Sequence, residues 1–270
     1  MCALSTESEK FRQILGIRFF VGSAQESIER VKQGGLLVVP AAPALKDLPQ
    51  NQAYREALLG ADIAITDSTL MVLLWNWINQ DSIQRVSGLQ YLKELLKDSC
   101  IQCPGNTLWV MANPVSAQKN LDWLRTQGID VPLEDIYLAP MYDGQVIDQP
   151  LLEKLRSHRY QHVVVTIGGG TQERLGLYIK QNLNYLPAIH CIGAAIAFLS
   201  GDQVQIPTWA DHLGLGWFFR CMSSPKNYIP RYWAARKLVP LMIQYRDELP
   251  RTEAEPHSSF FKNLNIRAQH

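Results

Sequence analysis

Short uninterrupted apolar runs recur along the chain: LLVV at Leu36–Val39, IAIT at Ile63–Thr66, LWVM at Leu108–Met111, VVVTI at Val163–Ile167 and IHCI at Ile189–Ile192. Each has strand length and lacks the in–out alternation of a sheet with one wet face. That fits parallel strands covered on both sides. Between them, apolar positions recur at helical spacing over Gln50–Leu59, Leu70–Asn79, Leu89–Lys97, Ser116–Thr126, Leu151–His158 and Glu173–Asn182. Alternating strands and helices predict βαβ units, and so an α/β fold with a doubly wound, mainly parallel, Rossmann-like sheet. No internal repeat or low-complexity linker interrupts the pattern.

The pattern changes after Asp211. From His212 to Arg246 there is no acidic residue, while Arg220, Lys226, Arg231, Arg236, Lys237 and Arg246 are interleaved with Trp217, Phe218, Phe219, Tyr228, Tyr232 and Trp233. Pro225, Pro230 and Pro240 are expected to divide this stretch into short helices. The chain thus reads as an α/β body over 1–211, a basic, aromatic helical appendage over 212–248 and a polar tail over 249–270.

Composition narrows the class. With 270 residues and 47% apolar side chains, the chain can fill a sizeable core, and 19% charged residues do not suggest disorder. A net charge of +1 gives no global basic field, so nucleic acid is not an expected partner. Cys2, Cys100, Cys103, Cys191 and Cys221 make an odd set with one C-x-x-C pair and no second pair of metal ligands. Reduced thiols in a cytosolic protein are the better reading than a zinc site. The start, MCALSTESEKFRQ, is too polar for a leader, and no run of 18 apolar residues exists to span a bilayer. Peripheral membrane contact stays open.

Two stretches carry candidate chemistry. In VVVTIGGGTQERLGLYI a strand runs into Gly168, Gly169 and Gly170, then Thr171, Gln172, Glu173 and a helix. Glycines between a strand and a helix gather bare N–H groups at a helix N-terminus, a geometry that binds phosphate; they also serve as a plain tight turn. GGGTQE does not meet the dinucleotide fingerprint G-x-G-x-x-G, and no acidic residue ends the next strand to take a ribose, so a nicotinamide oxidoreductase is disfavoured. Gln172 and Glu173 either face the cleft and bind sugar or ribose hydroxyls, or Glu173 merely complements the helix dipole. In ADIAITDSTLMVLLWNW, Asp67 stands between a strand and a helix. It is either the helix N-cap or a general base at the mouth of the sheet.

These motifs resemble the WecG/TagA/CpsF type of bacterial glycosyltransferase over roughly Leu15 to Tyr245. AYREALLGADIAITDSTLMVLL is similar to the family's ADLVLPDG region, RVSG at Arg85–Gly88 to its RVTG, and VVVTIGGGTQE to its VGLGAPKQE. The longest colinear match is CIGAAIAFLSGDQVQIPTWADHLGLGWFFRCMSSPKNYIPRYW, which includes Gly193. There are departures. Val39 and Ala41 stand for an early T-x-N, Gln90 for an acid after RVTG, Met111–Ala112 for a GG, Ala197 for the acid of FDF, Gln205–Ile206–Pro207 for RAP and Gly216 for the Glu of LEW.

The resemblance implies inverting transfer of a sugar from a UDP-sugar to a lipid-diphosphate-linked acceptor, in cell-surface polysaccharide synthesis. It implies Asp67 as base, and Gln172, Glu173 and Gly193 among the substrate-binding residues. Backbone amides at Gly168, Gly169, Gly170 and Thr171 are expected to stabilise the leaving diphosphate, with bidentate contacts from Arg220, Arg231 or Arg236. No D-x-D occurs in the chain to hold a divalent ion on the diphosphate, so no metal or other cofactor is expected. The basic, aromatic appendage suits an anionic membrane surface, on the inner face of the cytoplasmic membrane. A homo-oligomer is left open. The departures keep a second reading alive: a relative that binds a nucleotide or a partner without transferring sugar.

Overall fold

The computed structural model describes residues 10–252. Cys2, the polar start and the tail beyond Thr252 lie outside it. Eight strands form one sheet in the order β1-β2-β4-β3-β8-β7-β5-β6. They are β1 (Phe11–Ile14), β2 (Ile17–Phe20), β3 (Gly35–Val38), β4 (Ile63–Ile65), β5 (Thr107–Met111), β6 (Ile136–Leu138), β7 (His162–Val165) and β8 (Ala188–Cys191). Only the β1–β2 hairpin is antiparallel; every other pairing is parallel.

The uninterrupted apolar runs have a simple cause. Leu36, Val38, Leu108, Val110, Val163 and Val165 point into one core, while Leu37, Trp109, Met111 and Val164 point into the other. Both faces of the sheet are covered, so neither side chain of a neighbouring pair reaches water. The first face is packed by α3 (Gln52–Leu59), α4 (Thr69–Asn79), α8 (Gln149–Ser157), α9 (Thr171–Asn182) and α14 (Leu238–Tyr245). The second is packed by α1 (Ala24–Val31), α5 (Gly88–Leu95), α6 (Ser99–Gln102), α7 (Pro114–Thr126) and α10 (Ala195–Leu199). Short α2 (Ala42–Leu45) follows β3.

The C-terminal stretch is helical, as expected, but its prolines act differently. It comprises α11 (Thr208–His212), α12 (Gly216–Ser223), α13 (Pro225–Ala235) and α14. Pro225 opens α13, whereas Pro230 lies inside α13 and Pro240 in the first turn of α14. A first-turn proline forfeits no internal bond, and Pro230 forfeits one. The break between α13 and α14 falls instead at Arg236–Lys237, where Arg236 N and Lys237 N bond to Trp233 O and Ala234 O. α14 is no loose extension: Leu238 and Met242 are buried in the first core.

Candidate functional site

β3 is flanked by β4 on one side and β8 on the other, with β7 beyond β8. Ligands of open α/β sheets bind where strand order reverses, at the carboxyl ends of such strands. A cleft of about 1170 Å³ lies there, walled by the loops after β3, β4, β7 and β8 and by α12 and α13.

Asp67 stands on this cleft, just past β4. It does not cap α4. That role belongs to Ser68, whose Oγ accepts from Met71 N at 3.2 Å. Asp67 Oδ1 accepts from Gly88 N at 3.0 Å, with Arg85 Nη2 at 3.5 Å. Its Oδ2 has no hydrogen-bond partner among the described residues. Arg85 is the centre of the arrangement. Its Nε donates to Asp67 O at 2.7 Å, its Nη1 to Asp211 O at 2.5 Å and its Nη2 to Asp211 Oδ1 at 3.1 Å. Ser87 Oγ completes the clamp, donating to Asp211 Oδ2 at 2.6 Å. A guanidinium fork matched to a carboxylate and two carbonyls fixes orientation as well as charge.

The glycine loop divides in two. Gly168 and Gly169 line the cleft, and a Cβ added at either would meet nothing within 4 Å. Their N–H groups donate to no protein acceptor among the described residues. Gly170, at φ +90°, needs to be glycine, and its N–H is already committed to Glu173 Oε2 at 2.6 Å. Gly170, Thr171 and Glu173 do not line the cleft. Glu173 is buried, holds the loop closed and accepts from Gln172 Nε2 at 3.1 Å. Burial raises its carboxyl above the ordinary 4.5. The expectation that Gln172 and Glu173 both face the cleft therefore fails for Glu173: neighbours on a helix point about 100° apart. Gln172 does line the cleft, its buried Oε1 without a partner among the described residues. Gly193, at φ +61°, lies beside it; a Cβ there would sit 3.3 Å from Gln172 Nε2.

The expected arginines are likewise separated. Arg220 and Arg231 line the cleft, and Arg236 does not. Arg220 lies over the Phe198 ring at 4.3 Å and donates to Tyr232 OH at 3.2 Å; its buried Nε is unpartnered among the described residues. Arg236 stacks on Trp233 at 4.0 Å. Asp211, absent from the expected set, is the residue that ties α11 to the Asp67 loop. Its one sequence signal was its place as the last acid before the basic stretch. Among the described residues no group of three or more His, Cys, Asp and Glu side chains is placed to hold a metal ion. No helix of the described residues is long and apolar enough to cross a membrane.

A carboxylate on the cleft with one oxygen unpartnered among the described residues, open amides at one strand end and two guanidiniums from α12 and α13 suit a substrate with a nucleophilic hydroxyl and a diphosphate. The model of the glycosyl transferase WecG/TagA/CpsF family matches residues 12–253. Among curated proteins, the N-acetylglucosaminyldiphosphoundecaprenol N-acetyl-beta-D-mannosaminyltransferase of Bacillus subtilis (strain 168) is 26% identical over 205 residues, covering 71% of this chain and 73% of its own.

Proposed function

Because the chain belongs to the WecG/TagA/CpsF family of glycosyl transferases, we propose that its cleft transfers a sugar from a UDP-sugar to a hydroxyl of a lipid-diphosphate-linked sugar. The acceptor class follows the name of the Bacillus relative; the place of the reaction is cell-envelope polysaccharide synthesis. Asp67 carries the reading: a carboxylate on the cleft floor that is not used as a helix cap. In the reaction the acceptor oxygen bonds to the anomeric carbon as its proton passes to Asp67. The bond from that carbon to the UDP oxygen breaks, and a single displacement inverts the centre. General-base help of this kind contributes ~10²–10⁴-fold.

The leaving diphosphate meets the Gly168 and Gly169 amides and the guanidiniums of Arg220 and Arg231, with Gln172 and Gly193 on the nucleotide side. Preorganised donors of this sort stabilise charge as it develops, and we propose that they serve without a resident metal ion. Val39, Ala41 and Gly216 line the cleft where family motifs carry polar residues. We take this to mean a donor sugar different from the relative's, while the acceptor side is kept. The same observation supports one alternative, a protein that binds the nucleotide without turnover.

The basic, aromatic segment 212–246 is proposed to hold the enzyme on the anionic inner face of the cytoplasmic membrane. The deciding experiment offers the protein a panel of UDP-sugars with undecaprenyl-diphosphate-linked N-acetylglucosamine in EDTA, and reads product by mass spectrometry. One sugar should be transferred. Binding of UDP by calorimetry with no product from any donor would favour the alternative.

A further inference from the structure

Membrane contact has so far been assigned to residues 212–246. A second apolar surface lies on the α/β body itself. Helix α4, TLMVLLWNWIN, carries no charge. Met71, Val72 and Trp75 bury one side of it. Leu73 and Trp77, one turn apart and therefore on one face, are 63% and 73% exposed. A helix facing only core and water shows a polar outer face, which α4 lacks.

Helix α14, LVPLMIQY, is equally uncharged and packs against α4. It leaves Ile243 51% exposed. Exposed Arg236 and Lys237 precede α14 and exposed Arg246 follows it. At the far end of α4, Asp81 is held by Arg12 Nε at 2.6 Å and by Trp75 Nε1 at 3.1 Å. Asp247 and Glu248 lie past Arg246. The apolar surface also runs into the cleft, since Leu73, Met222, Ile229 and Trp233 are exposed and line it.

We infer that α4 and α14 join the appendage in one bilayer-contacting face, with Trp77 and Ile243 entering the interfacial layer of an anionic membrane. This rests on the membrane reading above. The chemistry is that of a surface-lying amphipathic element: apolar side chains and tryptophan at headgroup depth, framed by cations that meet anionic headgroups. The consequence is geometric. The cleft opens at headgroup level, so the lipid of the acceptor stays in the bilayer and only its diphosphate and sugar enter.

The test uses sedimentation with vesicles of phosphatidylcholine, with and without phosphatidylglycerol. Trp77→Gln with Ile243→Gln changes no charge and touches no cleft-lining residue. Binding to the anionic vesicles should weaken at least tenfold while the melting temperature and UDP affinity hold. As an independent readout, brominated lipids should quench the wild-type fluorescence more than that of Trp77→Phe. If the double variant binds as wild type does, while Arg231→Glu, Arg236→Glu and Lys237→Glu together abolish binding, the inference is overturned and the appendage reading survives. If the wild type binds no vesicles, both fall and sugar transfer is untouched. If the wild type is a dimer that the double variant dissolves, with vesicle binding unchanged, the face covers a second copy of the chain and the inference is again wrong.

Discussion

Asp67 and Arg231 share one cleft but stand on different ground. The floor rests on β3, β7 and β8, strands buried along their whole length. Its loops are held by specific bonds: Gly88 N and Arg85 on Asp67, Glu173 on Gly170, Ser68 on Met71. In the cover, α12 buries no residue and α13 buries only Ala235. Beside the packing of α13 against α2, its ties to the body include Tyr228 OH to Gln203 Oε1 at 3.3 Å, Arg220 over Phe198, and Arg85 on Asp211. Segments with little buried apolar area open at low free energy. The difference teaches a division of labour. On the proposed function, the carboxylate that would act as base is placed where geometry is over-determined, and the two arginines that would join the glycine amides on the diphosphate are placed where the wall can adapt.

The strongest challenge to that contrast is Asp67→Asn. Turnover should fall by ~10²–10⁴-fold, with UDP affinity and melting temperature close to wild type. Ser68→Ala should do the reverse, costing ~1 kcal/mol of stability through the lost cap with little effect on chemistry. Wild-type turnover in Asp67→Asn would show that the floor does not supply the base.

Gly169→Val probes the floor's open edge. The site has room for a side chain and no positive φ to strain. UDP affinity should drop about tenfold, equivalent to ~1.4 kcal/mol, as the side chain takes the phosphate's place. Calorimetry and thermal melts separate this from damage to the turn. Asp211→Asn cuts the joint between floor and cover. Hydrogen bonds to charged groups contribute ~1.5–3 kcal/mol each, so limited proteolysis within α12 and α13 should speed up and kcat/KM should fall several-fold. Unchanged cleavage would mean that the cover is held by other contacts.

The smallest effect concerns pH and the core beneath the floor. Tyr91 OH, His190 and His162 form a buried chain, with 2.7 Å between Tyr91 OH and His190 Nδ1 and 3.1 Å between His190 Nε2 and His162 Nδ1. Burial lowers both imidazoles below the ordinary 6.5, with Asp98 opposing and Lys32 acting on His162. Below pH 6.5 the unfolded chain takes up protons that the folded chain refuses. The unfolded state then binds more protons, and stability falls as pH falls. The melting temperature should drop between pH 7.5 and 5.5, and His190→Gln should flatten that slope. A flat wild-type profile would remove the histidines as the cause.

The contrast also explains what the chain discloses before folding. β3, β5, β7 and β8 were legible because they are covered on both faces. The β1–β2 hairpin and β6 were not. Edge strand β1 and its neighbour β2 carry exposed polar side chains, Gln13 and Arg18, that dilute the apolar run, and edge strand β6 is only three residues long. α1 did carry a signal: Ser23 and Glu26 form the reciprocal capping box that S-x-x-E announces. Asp67, Gly168 and Gly169 stood out because strand-end motifs are local. Asp211 could not, since its partners Arg85 and Ser87 lie 126 and 124 residues away.

The end of α14 adds a mechanical consequence. Leu15 N and Gly16 N, at the β1–β2 turn, donate to Arg246 O and Asp247 O at 2.7 and 2.9 Å, and Arg55 holds Pro250 O. Gly16 admits no side chain, because a Cβ there would sit 2.5 Å from that of Leu249. The segment between Asp211 and Leu238 is therefore a strap fastened at both ends, one end to the Asp67 loop and the other to α14, which is seated in the first core and tied to the first hairpin. A strap swings about its fastenings but does not drift away like a free tail, so each excursion returns it to the same seat. Its reach is set by the length of chain between the two anchors, and loosening either one enlarges the volume it explores, an entropic cost that every reclosure must meet.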